Sequence, residues 1–238
     1  MCGLSRWSIA LGLGYLGRLT GRLLPASADI SRASRADSSP QAYRAALAGA
    51  VGPVVLLTAC AVGSQFTRPP EDFVRLGYTT RAQVEARLGT PGDVKNFRQD
   101  GLQIRAIQYT YANDAETAKM PNSLCIRSLT YMLIDDVVYG EGFLSACAAD
   151  HTDFDERKAA DIVKGRTRCD EVPQLLGRPS FRAIYPVTKV SGEYVIGYQF
   201  TYVKRPLLQL NMYQKDLEVL CDVNGVVREV ASSEAGDR

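Results

Sequence analysis

One histidine in 238 residues is the shortage that constrains this chain most. A Ser-His-Asp or Cys-His nucleophile would have to use His151, and no metal site could draw on more than one imidazole. A basic excess is missing too. The whole chain has 28 Lys and Arg against 26 Asp and Glu, but residues 1–59 hold six of the arginines and only two of the acids, which leaves 22 basic against 24 acidic residues from Cys60 onward. Nucleic-acid binders concentrate cations on one face, so that class is excluded. No Cys-x-x-Cys spacing of a metal site occurs. The apolar run at residues 45–59 falls short of the roughly 20 residues that span a bilayer.

What is there begins with that run. Arg44 is followed by fifteen uncharged, mostly apolar residues, then by cysteine, which suits the hydrophobic region of a signal peptide. Leu57-Thr58-Ala59-Cys60 resembles the lipobox of bacterial lipoproteins. The resemblance implies cleavage before Cys60 and acylation of that residue, with palmitate-type chains numerous enough for stable anchoring. Ala61, where Asp is absent, resembles the outer-membrane sorting pattern. The expectation is an exported protein held through Cys60 on the periplasmic face of the outer membrane. Residues 1–43, rich in Arg, Ser and Ala, fit a signal peptide poorly. They are either an over-extended gene start, the reading favoured here, or a long natural leader. Residues 1–59 are set aside from the fold.

The mature part repeats. Gly77-x-Thr79-x4-Val84-x3-Leu88-Gly89-x-Pro91 recurs 88 residues later as Gly165-x-Thr167-x4-Val172-x3-Leu176-Gly177-x-Pro179. The threonines are placed to cap a helix, and Thr80 with Gln83 has capping-box spacing. Val84 and Leu88 share one helical face, and glycine followed by proline ends the helix. A second helix is expected before each glycine, over Pro69–Leu76 and after Asp153 or Asp155 through Ala159, Ile162 and Val163, making an αα-hairpin. Strands follow in both copies: Asp93–Arg98, Leu102–Tyr111, Leu124–Ile134 and Val137–Leu144, then runs around Ser191-Gly192, Asn211–Cys221 and Val226–Val230. The fold class expected is α+β, as two tandem modules, each a short helix pair packed on a roughly four-stranded antiparallel sheet. A tether at 60–70 would lead into a first module at 71–149 and a second at 150–238.

The lipobox and the Gly-x-Thr, Val, Leu-Gly-x-Pro pattern together resemble the SmpA/OmlA (BamE) family of outer-membrane lipoproteins, accessory members of the β-barrel assembly machinery. The module is also similar to the β-lactamase inhibitor protein fold. The likeness covers about residues 70–231, and it departs in having two modules and a long loop at 112–123. It implies a non-catalytic protein-binding module with an envelope protein partner, contact with the membrane only through the N-terminal lipid, no cofactor and no nucleic acid. An inhibitor or sensor that takes an enzyme or small ligand on its sheet face is the alternative. No binding residue is carried over from the family.

Four cysteines remain after Cys60, in what would be an oxidising compartment. Cys125 and Cys147 lie almost symmetrically about an Asp135-Asp136 turn, which makes them cross-strand neighbours and a disulfide pair. Cys169, expected in the first helical turn of the second copy, and Cys221, on a strand beside it, form a second candidate pair. Other groups invite chemistry. Asp150-His151-x-Asp153-x-Asp155-Glu156 lacks the glycine and terminal Glu of a calcium loop, and reads as a solvated linker and helix cap. Asp135-Asp136 reads as a turn. Tyr109, Tyr111, Tyr131, Tyr198 and Tyr202 suit half-buried sheet positions or an exposed aromatic docking surface. Arg166, Arg168, Arg178 and Arg182 read as surface charge, with lipid phosphates as the other partner considered.

Overall fold

In a computed structural model of the chain, which describes residues 61–113, 116, 118, 124–204 and 211–236, every strand joins one antiparallel sheet. The strands are β1 (Ala61–Val62), β2 (Asp93–Gln99), β3 (Leu102–Asn113), β4 (Cys125–Ile134), β5 (Val137–Ser145), β6 (Phe181–Ile184), β7 (Tyr194–Lys204), β8 (Asn211–Cys221) and β9 (Val227–Ala235). From β3 to β9 they pair in chain order. β1 and β2 share the remaining edge of β3, at 112–113 and at 102–108.

This overturns the expected pair of separate helix-covered modules. β5 pairs directly with β6, Gly140 with Ala183 and Gly142 with Phe181, so both halves belong to a single sheet. Pairing these strands consumes two open edges that separate modules would have exposed. The helix pairs are also missing. Pro69–Leu76 makes only turns, because Pro70 disfavours helical backbone at the residue before it and so short a segment has little helical stability of its own. Glu156–Asp161 is a 3₁₀ turn. What remains is α1 (Arg81–Leu88) and the five-residue α2 (Val172–Leu176).

The sequence repeat survives as a repeated hydrogen-bond pattern. Gly77 N–H donates to Val138 O and Gly165 N–H to Val227 O, both at 2.7 Å. Thr79 O and Thr167 O accept the N–H of the same two valines in return. The threonine hydroxyls do not cap the helices; their Oγ1 atoms accept the N–H of Arg75 (2.9 Å) and Val163 (2.8 Å) and close the turn before each glycine. Thr80 is the cap of α1, with Gln83 in a reciprocal box. Each half bulges at the same place, between Met132 and Leu133 and between Leu220 and Cys221.

The apolar residues of α1, α2 and the 3₁₀ turn all fall on one sheet face. Val84 packs with Ile107, Tyr109, Leu129, Tyr131 and Phe143, while Val172, Leu176 and Ile162 pack with Tyr198, Phe200, Tyr213, Leu217 and Val219. A third cluster (Ile104, Met132, Phe181, Ala183 and Val195) lies on the other face, where β4 reaches β6 across β5. Gly140 makes this contact possible, since a Cβ there would come within 2.4 Å of Met132 Cε.

Candidate functional site

Two repeat-equivalent cations organise the covered face. Arg127 on β4 stands opposite Tyr111 and Ser145, and Lys215 on β8 stands opposite Phe200 and Glu234. Both grip the segment that joins the two halves. Arg127 Nε donates to Asp150 Oδ2 at 2.7 Å and its Nη1 to Glu116 Oε2 at 3.1 Å. Asp150 Oδ2 also accepts from Ser145 Oγ at 2.5 Å. Burial opposes the charge of Arg127, but the Asp150 and Glu116 contacts outweigh it and hold its pKa above the ordinary value. Lys215 Nζ donates to Phe154 O at 2.6 Å and pairs with Asp153 at 2.8 Å and Glu156 at 3.8 Å. Its ammonium also lies 4.6 Å from the Phe154 ring centre. Beside it opens a cleft of about 330 Å³ lined by Phe154, Glu156, Asp216, Ser232, Ser233 and Glu234. Such a cleft offers hydroxyls and carboxylates to a polar or cationic group, while the amine itself is held by its own carboxylates.

The acidic run 150–156 is thereby dispersed. Asp150 serves Arg127, Asp153 serves Lys215, and Asp155 caps the 3₁₀ turn and binds Arg157 at 2.9 Å. His151 is exposed, in left-handed backbone at φ 46°. Asp135 and Asp136 form the two-residue turn between β4 and β5, at φ 50° and 59°.

The structure joins Cys125 to Cys147 and Cys169 to Cys221. Cys169 lies in the turn ahead of α2, and not in its first turn. Glu116 Oε2 lies 3.3 Å from Cys125 Sγ. Among the described residues Glu116 and this sulfur pair are the one group with metal-ligand proximity, but sulfurs joined to each other present no thiolate. Cys60 lies outside the described residues.

Tyr109, Tyr111, Tyr131 and Tyr198 are all buried on the covered face, which removes them from any exposed docking surface. Tyr109 and Tyr198 hydroxyls donate to Gly89 O (2.9 Å) and Gly177 O (3.1 Å), pinning each helix end to the sheet. The side chain of Tyr202 lies outside the described residues. Arg166 is exposed, and Arg168 pairs with Asp170 at 3.2 Å on the surface.

Arg178 and Arg182 do something the sequence reading missed. Arg178 Nη2 donates to Pro69 O at 2.8 Å, while Arg68 donates to Pro179 O. Arg182 Nε meets Glu141 at 2.7 Å and Nη2 reaches Glu71 O at 3.0 Å. Burial, and next the Arg178 guanidinium, pull Arg68 down to about 10. The two Arg-Pro dipeptides, 68–69 and 178–179, were the available signal. Residues 63–76 thus form a strap that crosses the first half and locks onto the second.

No protein-family model matches the chain, and no curated protein matches it. Among solved structures, a Streptococcus mutans protein provisionally assigned as a β-lactamase inhibitor protein is similar at 8% identity with a TM-score of 0.37, over 65% of this chain and 82% of that one. The SmpA/OmlA resemblance finds no support in these comparisons.

Proposed function

We propose that this chain is a non-catalytic envelope protein, exported, held in the outer membrane by lipid on Cys60, and acting by binding another protein. The observation that carries the reading is the pairing of all four cysteines that follow Cys60. Disulfides persist in oxidising compartments and are rare in a reducing cytosol. The hydrophobic run ending in Leu57-Thr58-Ala59-Cys60 supplies the export route. Binding in place of catalysis is supported by the state of the reactive groups: the single imidazole sits on an exposed turn, and Lys215 is ion-paired with Asp153 and Glu156 and donates to the Phe154 carbonyl. Palmitate labelling of wild type and of Cys60→Ala tests the anchor, with label expected only in wild type. Envelope crosslinking followed by affinity purification tests the partner, and failure to recover a reproducible protein would end that part of the reading.

An inhibitor or sensor that takes its target on the sheet is the second reading. It is favoured by the face opposite the helices, where Ser128, Thr130, Thr110 and Gln108 are only half-buried. Purified protein should then inhibit candidate envelope enzymes or change its melting temperature with envelope ligands.

A further inference from the structure

The strap begins at once. Cys60 is bonded directly to Ala61, and Ala61 is already paired with Asn113 and Val62 with Ala112 at the end of β3. Gly63 then lies so close to β3 that a Cβ on it would stand 1.9 Å from Thr110 O, and it holds φ 79°. Only glycine lets the chain lie backbone on backbone there. Further on, Phe66, Phe73 and Leu76 pack against the first-half core, and the Arg68–Pro179 and Arg178–Pro69 bonds fasten the strap to the second half. The strap therefore has no free length to pay out.

From this we propose that lipid on Cys60 seats the body directly on the bilayer, with the β3 C-terminal end of the sheet facing the headgroups. The proposal rests on the anchoring reading above and adds an orientation to it. Antiparallel pairing fixes what lies at each end. Asn113, Cys125 and Cys147 share the membrane end, and the Asp135-Asp136 and Asn224-Gly225 turns share the opposite one. Strands of eleven residues such as β8 put the two ends roughly 35 Å apart. A flexible tether would permit any orientation, whereas this one leaves the partner-binding surfaces at a fixed height and angle.

Tryptophan fluorescence can read this directly, because the chain's one tryptophan, Trp7, precedes Cys60 and is lost if the leader is cleaved. Two reporters, Ser64→Trp beside the anchor and Asn224→Trp at the far end, are placed singly in the full acylated protein. Each is reconstituted in phosphatidylethanolamine–phosphatidylglycerol vesicles containing brominated lipid. Position 64 is expected to lose most of its emission and position 224 almost none. A long Gly/Ser insert between Cys60 and Ala61 leaves the fold untouched and should abolish the loss at 64. Equal quenching at both positions in the acylated protein, or quenching indifferent to the insert, overturns the orientation while leaving the anchor standing. A mass spectrum showing no acyl chain on Cys60 overturns the anchor and the orientation with it.

Discussion

Set side by side, the two halves of the sheet share a turn, a bulge and a tyrosine pin but secure their helices by different means. In the first half α1 has eight residues, a reciprocal Thr80–Gln83 cap and an Arg81–Glu85 pair at 2.6 Å. In the second, α2 has five residues, a proline near its start and no side-chain cap. A helix that short has almost no stability of its own. It is the second half that places a disulfide, Cys169–Cys221, between the helix approach and the sheet, whereas Cys125–Cys147 joins β4 to the residues just after β5, beside a register that Arg127 and Ser145 already fix. Covalent bonding stands where local helical structure is weakest. The same contrast holds for the cations: Arg127 is buried with largely buried partners, but the carboxylates of Lys215 are 56% and 44% exposed.

Removing each disulfide would sharpen the comparison most. The bridges close 52 and 22 residues, so loop entropy predicts a loss of about 4 kcal/mol for Cys169→Ala with Cys221→Ala and about 3 for Cys125→Ala with Cys147→Ala. Urea unfolding of the two double variants measures both, and a larger loss from removing Cys125–Cys147 would break the argument. The cations come next. Arg127→Met removes the buried guanidinium from between Asp150 and Glu116 and leaves their charges uncompensated, which should cost about 3 kcal/mol. Lys215→Met keeps the packing stem and frees carboxylates that water can reach, so its cost is mainly the lost bond to Phe154 O, about 1 kcal/mol. Equal losses would mean that the linker is held alike on both sides.

Short-range features were legible in the sequence. The Gly77-x-Thr79 and Gly165-x-Thr167 repeat is real, although its hydroxyls close turns between residues four apart and do not cap helices, and the Cys125–Cys147 pair follows from the centre of one hairpin. The joining of β5 to β6 was not legible. Which edge meets which is a non-local matter, and Gly140, Gly142 and Ala183 carry little hydrophobic signal of their own. The helix pairs failed because the apolar edge of Ala159, Ile162 and Val163 is met by a 3₁₀ turn, and its first-half counterpart at 69–76 is too short to hold a helix. The strap was invisible for the same reason as the sheet junction: its arginine–carbonyl bonds join residues 109 and 111 positions apart.

The smallest expected effect tests whether the halves are energetically equivalent where they match best. Tyr109 and Tyr198 each give one hydroxyl to the carbonyl of the glycine that ends the helix. Replacing either by Phe keeps the ring and leaves that carbonyl without its donor, for a loss of about 1 kcal/mol in each case. Alkaline pH separates the hydrogen bond from the packing. Burial, then Glu85, pushes Tyr109 up to about 12, and burial, then Glu71, raises Tyr198 further. A phenol whose folded pKa is raised stabilises the fold fully below its unfolded value of about 10 and loses that contribution as pH climbs towards the folded value. Wild-type stability should therefore fall between pH 10 and 12, and Tyr109→Phe should fall less steeply because it has one fewer phenol to ionise. Denaturant midpoints across that range decide it. If Tyr109→Phe and Tyr198→Phe differ at neutral pH by much more than their common loss, the pin is a shared shape with unshared energy.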